Sequence, residues 1–311
     1  MKRAFTLLEL VVVIVVLGII AMMSFNAIMN IYSNYFQAKT VNELETQTEI
    51  ALEQISKRLE HRIKPSVIAR KTDGDFLALN DNRVNLDAKY EILEFIPYAY
   101  EIFNDVPSGS NKAGRYSGYA DLAKSSPATG LISPGSNFST EVVETIKDLT
   151  CRDDTRNDKC VDFTKKDGGV VAIFSDIYYN VQDSFGYKGD ITKLDIAKVG
   201  VKSTDGNTLE ISGFDGKQIS EQYHLAYTAN AIVPEQSADP KDAANGVFDL
   251  NLYYDYRPWM GEKYKQNGEK ATLAKNVTRF VFTEKNGVIV LKLCMRAKNS
   301  EITICKSKAV Y

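Results

Sequence analysis

Residues that could carry enzymatic chemistry are few and scattered along the chain. Its 311 residues include only two histidines, His61 and His224, and no Cys-x-x-Cys pair, so a zinc site is not indicated. The acidic stretch between Cys151 and Cys160 is neutralised by basic residues and lacks the spacing of an EF-hand. Nucleophile motifs, phosphate loops and dinucleotide fingerprints are absent from the sequence. We therefore expect no catalytic residues, no bound metal and no cofactor, and the protein is not predicted to be an enzyme.

One charged residue, Glu9, lies where a charge is costly. The stretch from Phe5 to Ile28 is apolar, and its 24 residues, at a rise of ~1.5 Å each, span the ~30 Å hydrocarbon core of a bilayer. A carboxylate inside such a helix costs roughly 2.5–3.5 kcal/mol at the bilayer centre and less near the surface, which makes Glu9 a functional residue by default. Lys2 and Arg3 precede the stretch, which predicts a cytoplasmic N-terminus and export of the rest.

Two simpler explanations of this segment leave something unaccounted for. A secretory signal peptide has a shorter apolar region and a small-x-small cleavage site, and no such site follows Ala21. A plain signal anchor explains the hydrophobicity but gives no reason for Glu9. The segment therefore favours an apolar helix in which one acidic residue has a role.

The run Ala4-Phe5-Thr6-Leu7-Leu8-Glu9-Leu10 resembles the processing site of type IV pilins and type II secretion pseudopilins. The resemblance implies that a prepilin peptidase cuts between Ala4 and Phe5 and methylates the new Phe5 amine. It also implies that Glu9, which becomes the fifth residue of the processed chain, pairs with the Phe5 amine of a neighbouring subunit. An unpaired charge is costly in an apolar filament core, so this pair would fix the register of assembly. Ala4 stands where the family usually has glycine, which predicts slower or altered processing.

The residues after the membrane segment predict an amphipathic stem helix. Positions on one stripe recur at spacings of three and four, namely Val41, Leu44, Thr48, Leu52, Ile55, Leu59 and Arg62/Ile63. Neither proline nor glycine interrupts residues 19–64, and Pro65 is expected to end the helix. One helix from Phe5 to about Arg62 would be roughly 85 Å long. A coiled-coil dimer is the alternative, but it needs longer unbroken heptads.

Beyond Pro65, the pattern indicates short strands separated by turn-rich segments. Strands are predicted at residues 90–96, 169–174, 208–211 and 248–254, and 17 tyrosines with 14 phenylalanines suit such a β-rich body. Residues 105–140 and 229–245 are expected to form long surface loops. Tyr253, Tyr254, Tyr256 and Trp259 could form a stacking surface for a ligand or DNA, but a place in the core or in subunit contacts is favoured.

The C-terminal end predicts a three-stranded antiparallel meander. Asn286-Gly287 is a strong hairpin signal, and pairing about it sets Phe282 opposite Leu291 and Phe280 opposite Leu293. A second turn near Asn299-Ser300 sets Met295 opposite Ile304 and Cys294 opposite Cys305. Both turns put the apolar side chains on one face, which is what a half-buried sheet requires. We expect that face to pack against the stripe of the stem.

The four cysteines all follow the membrane segment, and export would place them in an oxidising compartment. Four cysteines allow three pairings. The register of the meander favours Cys294–Cys305, with Cys151–Cys160 closing a ten-residue loop.

Together these observations predict an α+β, pilin-like protein in which a long N-terminal helix packs on a C-terminal antiparallel sheet with long loop insertions. The expected parts are a leader (1–4), a membrane or filament-core helix (5–28), a stem helix (29–64) and a periplasmic globular domain (65–311). The predicted function is that of a minor pilin or pseudopilin in a type II secretion or type IV pilus/DNA-uptake filament. The alternative is a membrane-anchored periplasmic binding protein or adhesin that does not polymerise.

That function implies several partners and one location. The partners are prepilin peptidase, other pilin or pseudopilin subunits, an inner-membrane assembly platform, and an exported protein or DNA as candidate cargo. The chain is expected in the inner membrane before assembly, with its C-terminal domain in the periplasm, and in a pilus or pseudopilus afterwards. The net charge of −2 gives no overall basic field that would attract nucleic acid.

Overall fold

The chain folds into one long N-terminal helix followed by two antiparallel sheets. The computed structural model describes residues 7–103, 115–151, 160–202, 206–214, 217–298 and 300–311. The helices are α1 (Leu7–Glu60), α2 (Thr140–Thr150), α3 (Pro240–Ala244) and α4 (Tyr264–Asn267). The strands are β1 (Ile68–Lys71), β2 (Phe76–Ala78), β3 (Tyr90–Phe95), β4 (Leu131–Ile132), β5 (Val171–Phe174), β6 (Ala197–Val201), β7 (Thr208–Ser212), β8 (Tyr223–Ala226), β9 (Ala229–Gln236), β10 (Phe248–Tyr256), β11 (Glu269–Lys285), β12 (Val288–Arg296) and β13 (Thr303–Val310).

Helix α1 is one continuous element of 54 residues, about 81 Å long at 1.5 Å per residue. Its C-terminal half buries one stripe, formed by Leu44, Thr48, Ala51, Leu52, Ile55, Ser56 and Leu59. Thr48 is polar within this apolar stripe, and its hydroxyl donates to the Leu44 carbonyl at 2.6 Å. The buried hydroxyl is therefore satisfied within the helix, as a buried polar group must be.

The first sheet has eight strands in the order β13-β12-β11-β10-β9-β3-β1-β2. Its hairpin turn has positive φ at Asn286 (54°) and Gly287 (80°), the backbone that a type I′ turn requires. The predicted registers are confirmed: Phe280 and Phe282 pair with Leu293 and Leu291 across the first turn. Across the second turn, Met295 pairs with Ile304 and Cys294 with Cys305.

The apolar face of this meander packs against the stripe of α1, as predicted. One core cluster joins the stem residues to side chains of β11, β12 and β13, among them Phe280, Leu291, Leu293 and Val310. Strand β13 continues to Val310, beyond the last predicted pair, Cys294 with Cys305. Two of its side chains, Lys306 and Lys308, form ion pairs with Glu49 and Glu53 of α1. The helix is thus held by apolar packing in the middle of the contact and by ion pairs at its edge.

A second, five-stranded sheet has the order β4-β7-β6-β5-β8. A shared apolar layer joins it to the first sheet, with Ile92 and Ile96 from one side and Val171 and Ile173 from the other. Trp259 lies in this layer and is fully buried. The observed architecture confirms the α+β class with a long N-terminal helix and an antiparallel sheet-rich body.

The predicted loop at residues 229–245 is wrong in its first half, because Ala229–Gln236 forms the interior strand β9. Pro234 made a strand implausible from sequence, since proline lacks the N–H that a sheet interior needs. In the structure, β9 pairs with β3 only as far as Ile232, which lies opposite Leu93. Beyond that point β9 pairs with β10 alone, so Pro234 has a free side on which no donor is needed.

The predicted loop at residues 105–140 also proved to be partly buried. Residues 104–114 lie outside the described ranges, and the remainder contains β4, which pairs with β7. Three of its side chains, Tyr116, Leu131 and Phe138, are completely buried in the core of the second sheet. The glycine- and serine-rich composition therefore correctly indicated a largely irregular backbone. It wrongly indicated that the side chains of this segment are exposed.

Both predicted disulfides are present. Cys294 and Cys305 are bonded across β12 and β13, and Cys151 is bonded to Cys160. The first follows from the register of the meander, because the two residues face each other directly. Residues 152–159, which the second bridge encloses, lie outside the described ranges.

Candidate functional site

The predicted assembly residue, Glu9, lies in the first turn of α1 and is exposed. An acidic side chain is electrostatically favourable there, since the N-terminal end of a helix carries a partial positive charge. The predicted processing and methylation residues, Ala4 and Phe5, lie outside the described residues. Their geometry relative to Glu9 therefore stays a prediction.

The N-terminal half of α1 is an apolar surface without cover from the rest of the chain. Every residue from Leu7 to Lys39 is exposed, and the first buried residue is Leu44. This helix is long and apolar enough to cross a membrane, with a mean hydropathy of 2.8 in its most apolar window and none of that window buried. Glu9 is the only charged residue between Leu7 and Ala38.

The body-facing side of α1 changes character along the helix. Eighteen residues are five full turns, so residues 18 positions apart lie on the same side. All five polar residues between positions 26 and 37 lie 18 positions before a buried stem residue: Asn26 before Leu44, Asn30 before Thr48, Ser33 before Ala51, Asn34 before Leu52, and Gln37 before Ile55. This side is therefore polar from Asn26 to Gln37 and apolar in the stem, where it meets the sheet.

The opposite side of the same segment is apolar. We call it the outer apolar face; its residues are Phe25, Ile28, Tyr32, Tyr35 and Phe36, each at least half exposed. A bilayer takes about 20 residues of helix, so a span that begins at Leu7 ends near Ile28. Tyr32, Tyr35 and Phe36 would then project beyond the hydrocarbon core on the side away from the sheet. Such a contiguous apolar surface indicates an interaction site.

The comparisons with known proteins match this region. Residues 1–25 match the family model of the prokaryotic N-terminal methylation motif. The N-terminal segment is that of a type IV pilin-like protein. The motif implies processing by prepilin peptidase and assembly with other pilin subunits, and the apolar helix is consistent with membrane anchoring. No curated protein and no solved structure matches the chain.

Most of the aromatic residues that could have formed a stacking surface belong to the core. Tyr253, Tyr256 and Trp259 are buried, and the Trp259 indole donates to the Gly169 carbonyl at 3.0 Å. The Tyr256 hydroxyl donates to Glu94 at 2.9 Å. These contacts confirm the core interpretation for three of the four residues. The fourth, Tyr254, is half-buried and lines a cleft beside α1.

The two histidines make aromatic contacts. The His61 ring stacks on Tyr100, with centroids 4.1 Å apart, and the His224 ring stacks on Tyr98 at 5.0 Å. Burial lowers the pKa of His224, which favours its neutral form. Within the described ranges, no group of three or more His, Cys, Asp or Glu side chains could hold a metal ion. The expectation that no metal is bound stays a prediction.

Sequence reasoning missed two buried arginines with structural roles. Arg62 follows the end of α1, and its guanidinium donates to the carbonyls of Leu59 (2.8 Å), Gly287 (2.9 Å) and Tyr311 (3.2 Å). Arg70 donates to Glu94 at 2.7 Å in the region between the sheets. The predicted stripe ended at Arg62/Ile63, but it gave no indication of the carbonyl contacts of Arg62. A charged residue on a strand is usually exposed, so the sequence carried no signal for the burial of Arg70.

Proposed function

We propose that this protein is a minor pilin or pseudopilin, a structural subunit of a type II secretion or type IV pilus/DNA-uptake filament, and that its role is not catalytic. The observation that carries the proposal is the exposed apolar half of α1, in which Glu9 is the only charge, joined to a prepilin-type N-terminus. A carboxylate in this position is costly in lipid and useful where a neighbouring chain supplies an amine.

The proposed sequence of events begins in the inner membrane, with the N-terminus in the cytoplasm and the body in the periplasm. Prepilin peptidase cleaves before Phe5 and methylates its amine. An assembly platform then moves the subunit into the filament, where Glu9 pairs with the Phe5 amine of a neighbour. The body, residues 65–311, would be displayed on the filament, where an exported protein or DNA is the candidate contact.

The outer apolar face supports this proposal, because it points away from the sheet. In a filament, neighbouring helices can cover that face, while the polar residues from Asn26 to Gln37 remain on the side of the protein's own body. Aromatic residues also collect at the bilayer surface in isolated membrane anchors, so the support comes from the position of this face opposite the body and not from its aromatic content.

The mature N-terminus tests the proposal. We expect mass spectrometry of the protein purified from its native membrane to show a chain that begins at an N-methylated Phe5. An Ala4→Gly variant should be processed at least as fast, since glycine is the usual residue before the cut. The alternative, a membrane-anchored periplasmic binding protein or adhesin that does not polymerise, predicts an intact Ala4–Phe5 bond in both proteins.

The outer apolar face gives a second test. Replacing Tyr35 and Phe36 together with serine should reduce recovery in sheared filaments at least tenfold, because burial of each ring in a helix contact is worth about 1.5–3 kcal/mol. The matched control replaces Asn34 and Gln37 with serine on the body-facing side, and it should assemble normally. Equal recovery of both double variants, at equal membrane levels, would argue against packing through this face.

A further inference from the structure

A cleft of 560 Å³ lies beside the last turns of α1. Its walls come from six parts of the chain: α1, the segment after β3, the end of α2, the β8–β9 region, the end of β10 and the start of β11. The residues that matter for its chemistry are Arg58, Tyr98, Tyr100, Glu101, Tyr227 and Asp255. We call it the Glu101 cleft.

The carboxylate of Glu101 is incompletely satisfied. Its Oε2 atom is buried and accepts no hydrogen bond within the part of the chain that the structure describes. A buried carboxylate oxygen without a donor costs free energy, so such an atom needs an explanation. A donor brought by a ligand would remove that cost.

Three tyrosines lie around this carboxylate. Burial, and after it the charge of Glu101, raises the pKa of Tyr98, Tyr100 and Tyr227, so all three hydroxyls are neutral. Hydrogen bonding of the Tyr100 and Tyr227 hydroxyls to the Glu101 carboxylate adds to the rise in their pKa, and among the described residues Oε2 is the oxygen that is left without a partner. Tyr100 is 44% exposed, so part of its surface remains open to a ligand. Aromatic faces near a carboxylate attract organic cations through the negative charge of the ring face.

A second acidic residue, Asp255, lines the cleft and has an unusual backbone conformation. Asp255 lies in the left-handed region (φ 56°) where the pairing of β10 with β9 is interrupted between Tyr253 and Tyr256. The Thr228 hydroxyl accepts a hydrogen bond from the Asp255 N–H at 3.0 Å and holds this bulge. Bulges re-aim side chains and occur beside binding sites, and the charge of Asp255 also contributes to the raised pKa of Tyr227.

We propose that the Glu101 cleft binds a primary ammonium or guanidinium group, supplied by a Lys or Arg side chain of a partner protein or by a small amine. Glu101 accepts the hydrogen bond of the cation, and the tyrosine rings pack against its alkyl chain and charge. This site is independent of filament assembly, because none of its residues belongs to the exposed half of α1.

Two basic residues of α1 also line the cleft and must be weighed. The Lys57 ammonium group forms an ion pair with Glu60 at 3.1 Å, so its charge is already partnered. Arg58 makes no ion pair within the described ranges, although its charge lowers the raised pKa of Tyr100 slightly. Arg58 can therefore compete with the incoming cation for the Glu101 carboxylate. Replacing it with glutamine should strengthen binding a few-fold.

The test measures binding to the full chain in detergent micelles by calorimetry and by tyrosine-ring NMR shifts. The probe is N-acetyl-lysine amide, and its uncharged control is N-acetyl-norleucine amide, which has a similar alkyl chain. We expect the lysine probe alone to bind, and Glu101→Gln to weaken it at least tenfold, since a hydrogen bond to a charged group is lost. Tyr100→Leu should weaken it a few-fold. The fluorescence of Trp259 reports whether each variant is folded.

Two further probes identify the source of the cation. Tighter binding of the peptide Ala-Ala-Lys-Ala-Ala than of butylammonium supports a partner protein, and equal binding supports a small amine. Equal affinity of folded Glu101→Gln and the parent chain for the lysine probe would overturn the proposal. So would a failure of both the parent chain and Arg58→Gln to bind it, because the second variant removes the internal competitor.

Discussion

Glu9→Ala is expected to abolish incorporation into filaments while the membrane-bound protein stays at its normal level. Removing a carboxylate from an apolar helix favours membrane insertion, by up to about 2.5–3.5 kcal/mol at mid-bilayer and by less near the surface. Assembly suffers instead, because the neighbour's Phe5 amine would be buried without its partner, at a cost of about 3–5 kcal/mol. The two steps are thus affected in opposite directions by one substitution.

The matched control is Glu43→Ala, an acidic residue that is exposed on the stem part of the same helix. The amounts of each variant in sheared filaments and in membranes are compared by immunoblotting. Glu43→Ala should partition like the parent chain, and Glu9→Gln should fail like Glu9→Ala, because the pair requires a charge. Normal filament recovery of Glu9→Ala would refute a role in assembly.

The C-terminal meander could be predicted in detail because its information is local. Asn286-Gly287 fixes a two-residue turn, and the alternation on either side fixes which face is apolar. Every cross-strand pair that we predicted, including Cys294 with Cys305, occurs in the structure. The stem helix could be predicted equally well, because its buried stripe repeats every three or four residues and Pro65 lies just after the end of the helix.

Two strands of the second sheet were predicted, at 169–174 and 208–211, but the assembly of that sheet and strand β9 could not be, because the contacts that decide them are distant in sequence. Ala231 is buried because β3 and β10 lie on either side of it. These two strands come from parts of the chain that are more than a hundred positions apart. Short strands such as β4, with two residues, carry too few side chains for any periodicity. Local composition indicated loops at β4 and β9, and tertiary packing overrode it.

The candidate site was readable only in part. Glu9 stood out because a charge in an apolar run is costly wherever it lies. The outer apolar face was also present in the sequence, in the 18-residue spacing between Asn26 and Leu44, but it acquires meaning only when the buried stripe is known. No sequence pattern indicated the Glu101 cleft, since its residues come from six segments that only the fold brings together.

Replacing Arg62 with leucine is expected to lower the free energy of unfolding of the body by about 3–5 kcal/mol. Its guanidinium donates to three backbone carbonyls: Leu59 at the end of α1, Gly287 in the hairpin turn and Tyr311 after β13. A hydrogen bond from a charged donor contributes about 1.5–3 kcal/mol, and water can replace only part of that at a buried site. Leucine keeps the apolar stem of the side chain and removes every donor.

Arg62 therefore joins the helix end to one end of the β12–β13 pair, where the start of β12 lies beside the end of β13. Its loss should loosen the docking of α1 on the sheet. Arg58→Leu is the matched control, because Arg58 lies one turn earlier, is exposed and makes no ion pair within the described residues. Denaturant unfolding followed through Trp259, the only tryptophan, compares the two. Trp259 is buried in the apolar layer between the two sheets, so its signal reports loss of the packed body. Matching midpoints for Arg62→Leu and Arg58→Leu would show that the three carbonyl contacts contribute little, and that apolar packing of the stem stripe alone holds the helix in place.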